Sequence, residues 1–156
     1  MKALHVTSLA YVPGTMISME AANYHLAHLL GLPAEKRTSR ESEQTVKELV
    51  FDLVRVGQYG HLPSRLRCLF AWEDDAAART GVRLHGLTGT NVYELELLQA
   101  AGDTLHRADS CWLNCNAASA HEICHNAHRY WRAEMSANPV VEILYWGPAR
   151  VVRKIR

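Results

Sequence analysis

Apolar residues recur along this chain with two periods, and the change from one to the other marks its elements. Ala3 to Thr7 is short and apolar enough for a buried strand, and Pro13-Gly14 marks the turn after it. Met19 to Leu30 is rich in Ala, Leu and His and predicts a helix, with Gly31 and Pro33 as its stop. Thr38-Ser39-Arg40-Glu41 matches a capping box, and Val46, Leu49, Val50, Leu53 and Val54 follow at helical spacing, which predicts a second helix with that stripe in the core. After the loop His61 to Arg65 the period becomes two: Leu66, Cys68, Phe70 and Trp72 alternate with their neighbours, as in a strand. Asp74 to Thr80 predicts a short helix closed by Gly81. Val82 to Leu87 and Thr90 to Leu98 predict two strands separated by Thr88-Gly89, the second with Val92, Leu95 and Leu97 among acidic partners. Ala117 to Met135 predicts a third long helix. After Asn138-Pro139, Val140 to Trp146 and Ala149 to Ile155 predict a hairpin around Gly147-Pro148. Strands outnumber helices without alternating regularly with them, so the expected class is α+β, one domain over residues 1–156.

Composition narrows the class without naming a partner. With 156 residues, 48% of them apolar and 21% charged, one core suffices, and a disordered or fibrous chain is excluded. A formal charge of +1 with nine neutral histidines gives no general field for nucleic acid, so such a target would need a local patch; Arg65, Arg67 and the run Arg150 to Arg156 are the candidates. Met1 to Thr7 lacks the apolar stretch of a secretory signal, and no run approaches the roughly 20 apolar residues that span a bilayer, so a cytoplasmic, non-membrane protein is expected. Cys68, Cys111, Cys115 and Cys124 are then expected as free thiols.

Three of those cysteines lie near histidines, and His121-Glu122-Ile123-Cys124-His125 satisfies His-Glu-x-x-His on a predicted helix. This spacing brings His121 and His125 to one face, one turn apart, as zinc requires, with Glu122 available as general base for a bound water. No clear third-ligand motif follows. The alternatives are a zinc-dependent hydrolase, a non-catalytic zinc module using a cysteine, or an amphipathic helix whose histidines face solvent. The last of these, with no metal, is expected.

A further series runs the length of the chain: His5-Val6-Thr7, Leu69-Phe70-Ala71-Trp72 before an Ala-rich helix, Tyr93-Glu94-Leu95-Glu96, and Glu142 near the end. In that order it resembles the small ADP-ribosyltransferases of the branch that includes the poly-ADP-ribose polymerases and the rifamycin ADP-ribosyltransferases. There an early strand carries His-Gly-Thr, a second carries an aromatic in a Tyr-Phe-Ala-type strand, and a carboxylate comes later. Here Val6 replaces the glycine and Phe70 the tyrosine. Pro63-Ser64-Arg65, Asp109 to Trp112, Tyr130-Trp131 and Glu142 are also similar to motifs of an uncharacterised group of bacterial domains.

The resemblance implies a mainly antiparallel split sheet flanked by about three helices, and a mono-ADP-ribosyltransferase that uses NAD as a substrate, of the kind found among bacterial or phage toxins and defence proteins. The acceptor, whether protein, nucleic acid or small molecule, is left open. Cleavage of the nicotinamide–ribose bond passes through an oxocarbenium-like state that a carboxylate stabilises. Glu142 is the first expectation for that acid and Asp109 its rival. His5, with Thr7 beside it, would hold a ribose hydroxyl. Phe70 and Tyr93 would stack on nicotinamide, and Arg65 would pair with the diphosphate.

Overall fold

The computed structural model describes residues 1–17, 31, 33–86, 91–115 and 118–156. The expected helix Met19 to Leu30 lies outside them. Among the described residues the strands are β1 (Lys2–Thr7), β2 (Met16–Ile17), β3 (Leu69–Trp72), β4 (Asn91–Leu97), β5 (Thr104–Asp109), β6 (Val141–Trp146) and β7 (Ala149–Lys154). The α-helices are α1 (Ser39–Gln58), α2 (Asp75–His85) and α3 (Ala120–Trp131), with short 3-10 turns at Ala34–Lys36 and Ser110–Leu113. The seven strands form one sheet in the order β2-β7-β4-β1-β3-β6-β5, antiparallel at every pairing. The class is therefore α+β.

The two last strands exist as expected but do not form a hairpin. Between β6 and β7 lie β3, β1 and β4, so the two would stand about 19 Å apart in a flat sheet. Gly147 and Pro148 alone connect them, and two residues span at most about 11 Å. The sheet must therefore turn back on itself. Contacts between its halves fit this: Tyr145 on β6 donates its hydroxyl to Leu98 O just after β4 at 2.8 Å, and Leu98 N donates to Pro148 O at 3.0 Å. Inside the turned sheet Ala3, Leu69, Ala71, Tyr93, Leu95, Ile143, Tyr145 and Val151 close a core. On the other face α1 and α3 pack together over β5 and β6, around Phe51, Ala127, Tyr130, Trp131 and Leu144.

Helix α1 begins at the expected capping box: Thr38 Oγ1 accepts from Glu41 N at 3.2 Å, and Glu41 Oε2 accepts from Thr38 N at 2.8 Å. Its orientation corrects the sequence expectation. Only part of the apolar stripe faces the core: Val54 packs against it and Val50 is half-buried, but Val46 is 53% exposed, Leu49 48% and Leu53 72%, whereas Thr45, Glu48 and Phe51 are buried. A buried ion pair on Glu48, described below, sets the rotation of the helix.

Helix α2 also departs from its expected limits. Gly81 does not end it; the helix runs on to His85 and stops at Gly86, which adopts the left-handed φ of +61°. The strand expected over Val82 to Leu87 is thus helical through His85. Gly81 is needed for close approach, since a Cβ there would fall 2.1 Å from the Trp72 ring. The strand expected from Leu66 is ordered as a strand only over Leu69–Trp72, and β5 was not anticipated at all.

Candidate functional site

Across β1, β3, β6 and β5, the residues Leu4, Trp72, Glu142 and Ala108 stand opposite one another in one row, so their side chains share the face that the helices cover, α2 at the β1 end and α1 with α3 at the β5 end. His5 is one residue out of phase with Leu4, and its side chain points to the other face, toward the inside of the turned sheet with its cross-strand partner Tyr93. The candidate residues therefore fall into two groups, separated by the sheet itself.

On the helix-covered face Arg65 is the hub. Its Nε donates to Glu48 Oε2 at 2.8 Å and its Nη2 to Glu48 Oε1 at 3.2 Å. Its Nη1 donates to Tyr130 Oη at 2.6 Å and to Glu142 Oε1, and the same Glu142 oxygen accepts from Tyr130 Oη. The guanidinium also sits 4.9 Å over the Phe70 ring. Arg65, Glu48 and Glu142 are all buried. Lys47 Nζ stands 4.0 Å from Glu48, so two cations face two carboxylates. Burial opposes ionisation of Glu48, and the Arg65 charge and hydrogen bonds outweigh it, holding the carboxyl below its ordinary value. Burial likewise opposes the charge on Arg65, and Glu142 and Glu48 overcome it. Cys68 is buried beside this network and its thiol is pushed upward by burial, which makes it inert. Such a cluster is a structural unit, because each charge is neutralised only while its partners remain.

On the inner face His5 is 6% exposed. Its Nδ1 lies 2.8 Å from Phe70 O, a carbonyl that only accepts, so Nδ1 carries the hydrogen and donates. Burial pulls the imidazole pKa down against the help of that bond, so the ring is neutral and Nε2 keeps its lone pair. Nε2 makes no hydrogen bond among the described residues. Tyr11, from the loop after β1, stands beside it with ring centroids 6.4 Å apart. Tyr93 orders that loop: its hydroxyl accepts from Tyr11 N at 2.9 Å, and the two rings meet edge to face at 5.4 Å. Gly14 N donates to Val151 O at 2.8 Å and Asn91 Nδ2 to Leu9 O at 3.0 Å, fixing the loop further. The Tyr11 hydroxyl is buried with no hydrogen-bond partner among the described residues.

The single cleft expected to join His5 and Glu142 is not formed. His5, Thr7 and Tyr93 belong to the inner face; the side chains of Arg65, Phe70 and Glu142 belong to the helix-covered face. Phe70 meets the inner group only through its carbonyl. Arg65 is consumed in the core and does not offer its guanidinium to a diphosphate. Thr7 Oγ1 accepts from Leu9 N at 3.1 Å, stabilising the start of the loop. Asp109 is buried at the end of β5, where it accepts from Ser136 N at 2.8 Å and from Cys111 N and Val140 N at 3.0 Å each. Burial disfavours its charge and these donors outweigh it, so it stays ionised as a cap for the turn after β5. Tyr11 and Glu48 were missed. Nothing in the sequence separates Glu48 from Glu41, Glu43 and Asp52 on the same helix, or singles out Tyr11 in its loop.

The His-Glu-x-x-His segment is on α3, as expected, but its glutamate is already used. Glu122 Oε2 accepts from Ser119 N and Ser119 Oγ at 2.7 Å each, completing a capping box. His121 and His125 are exposed. Among the described residues no group of three or more His, Cys, Asp or Glu side chains is placed to hold a metal ion, and no helix is long and apolar enough to cross a membrane.

No curated protein matches the chain. The sequence profile of one family matches residues 11–156, a span that holds Tyr11 and the whole Arg65 network and begins just after His5. By that match the chain belongs to the family described as Protein of unknown function (DUF2441).

Proposed function

We propose that the protein is a mono-ADP-ribosyltransferase that binds NAD on the inner face of the sheet, around His5. The observation that carries the reading is the state of that histidine: a neutral ring with Nδ1 committed to Phe70 O and Nε2 left as an acceptor, next to a buried tyrosine hydroxyl without a partner. An acceptor so fixed suits a sugar hydroxyl, and orienting the sugar is a large part of what such a reaction needs. The antiparallel sheet with helices on one face agrees with the α+β class that the resemblance implies, although it is one continuous seven-stranded sheet rather than a split one.

In this reaction the bond between ribose C1′ and the nicotinamide nitrogen breaks and nicotinamide leaves with the electron pair. The acceptor nucleophile then bonds to C1′ and gives up its proton. His5 would hold the ribose, and the edges of Tyr11 and Tyr93 would wall the ring. Glu142 enters only indirectly, by fixing Arg65 and Tyr130 behind β3. Incubation of the pure protein with labelled NAD and cell lysate tests the reading: nicotinamide release and label on an acceptor are expected. Absence of both, together with no calorimetric binding of NAD, would overturn it.

A further inference from the structure

A buried hydroxyl with no partner is uncommon because it gives up its bonds to water and gains none. Tyr11 carries such a hydroxyl although its surroundings are well built: its backbone N–H is held by Tyr93 at 2.9 Å, and its ring packs edge-on against Tyr93. Loose packing therefore does not explain the orphan. Its neighbour His5 has the complementary lack, an acceptor nitrogen with no donor among the described residues, on a ring whose other nitrogen is tied to Phe70 O at 2.8 Å. The two rings are neighbours, with centroids 6.4 Å apart, and carry one group that can donate and one that can only accept. A ligand hydroxyl satisfies both at once, donating to His5 Nε2 and accepting from Tyr11 Oη.

We infer that Tyr11 is a substrate-positioning residue whose hydroxyl, paired with His5 Nε2, takes a hydroxyl of the ribose attached to nicotinamide. This rests on the NAD reading above and adds a residue to it from a loop that carried no motif. It assigns the orphan hydroxyl a donor role only when the sugar is bound. The free protein thus holds Tyr11 at a cost that ligand removes.

Tyr11→Phe keeps the ring, its packing and the backbone bond to Tyr93, and removes only the hydroxyl. Calorimetric titration of the full chain with NAD, and with NAD analogues lacking the 2′- or the 3′-hydroxyl of the nicotinamide ribose, reads the effect. Tyr11→Phe is expected to weaken NAD binding about tenfold, the usual scale for one lost hydrogen bond. One of the two deoxy analogues should bind wild type about tenfold more weakly than NAD does, and Tyr11→Phe should no longer distinguish it from NAD. The melting temperature of the unliganded variant should be unchanged or higher, since an unsatisfied polar group is gone; a fall of several degrees would make the hydroxyl structural and overturn the inference. Wild type that binds NAD no better than Tyr11→Phe does would refute the role of Tyr11 alone. Wild type that binds no NAD would refute the function and this inference together.

Discussion

The two faces of the sheet solve the problem of buried polarity in opposite ways. Behind β3, four charged groups and a tyrosine hydroxyl satisfy one another, and the price of desolvating them is met by mutual attraction. In front, the neighbouring rings of His5 and Tyr11, with centroids 6.4 Å apart, carry an acceptor nitrogen and a hydroxyl that no described residue bonds. A closed network specifies structure; an open pair keeps its bonds to give. Sequence motifs do not separate the two, because Arg65, Glu142 and His5 look equally chemical when written in a line.

The largest effect should come from breaking the closed side. Arg65→Met leaves Glu142 buried without its counter-charge and Glu48 with only Lys47 at 4.0 Å, and a loss of about 3–5 kcal/mol is expected in urea unfolding, enough to threaten folding at 37 °C. Arg65→Lys should fall in the same direction by less, since a point charge cannot reach Glu48, Tyr130 and Glu142 together. A stable Arg65→Met variant would mean that the network is not the structural unit described.

On the open side, His5→Ala should leave the fold measurable and reduce ADP-ribose transfer about a hundredfold, read as nicotinamide release at saturating NAD. Equal rates in His5→Ala and wild type would remove His5 from the reaction. Glu142→Gln offers the contrast: its main expected loss is melting temperature rather than turnover of whatever protein remains folded.

pH should sharpen the comparison further. Burial holds His5, His85 and His106 below the ordinary imidazole value of 6.5, so each takes up a proton more readily unfolded than folded. Stability is then complete above about pH 6.5 and declines as pH falls through the window below it, by at most about 1.4 kcal/mol per pH unit for each buried ring. Urea unfolding at pH 7.5, 6.5 and 5.5 checks the sign. NAD binding should weaken only at the lower end of that window, where the folded ring itself takes up a proton and His5 Nε2 is lost as an acceptor. The smallest change belongs to the helical histidines: His121→Gln with His125→Gln should alter stability by less than about 0.5 kcal/mol and leave transfer intact.

Much of the chain could be read from its pattern, and the failures share a cause. The capping box at Thr38, the strand β4 and the short strand β1 are local signals and appear where expected. Helix α1 turns Val46, Leu49 and Leu53 of its hydrophobic stripe to solvent because Glu48 is drawn inward by Arg65, a partner that lies 17 residues on. Helix α2 passes Gly81 because Trp72, from another element, requires the space. Strand β5 was missed because Thr-Leu-His-Arg-Ala-Asp is half polar and buries its histidine and its aspartate through bonds to Tyr130 O and to three backbone amides. Each error is a tertiary partner overruling a local preference. The site divided for a related reason: strand phase decides which side a residue serves, and a shift of one position moves it across the sheet.

The two-residue connection at Gly147-Pro148 has a consequence for how the molecule assembles in time. Strand β1 is made first yet pairs with Trp72 and with residues 91–96, so its ladders close only after most of the chain exists. Strands β6 and β7 are neighbours in sequence but dock at distant places, one on β3 and the other on β4. Nearly every pairing is therefore non-local, and folding in milliseconds to seconds, rather than microseconds, follows from the cost of closing such loops. A nascent chain paused before Val141 has two open sheet edges, β3 and β4, each awaiting a strand not yet synthesised. Unpaired edges of that kind are where chains adhere to one another, so the interval before the last 16 residues emerge is the period in which this protein most needs a chaperone.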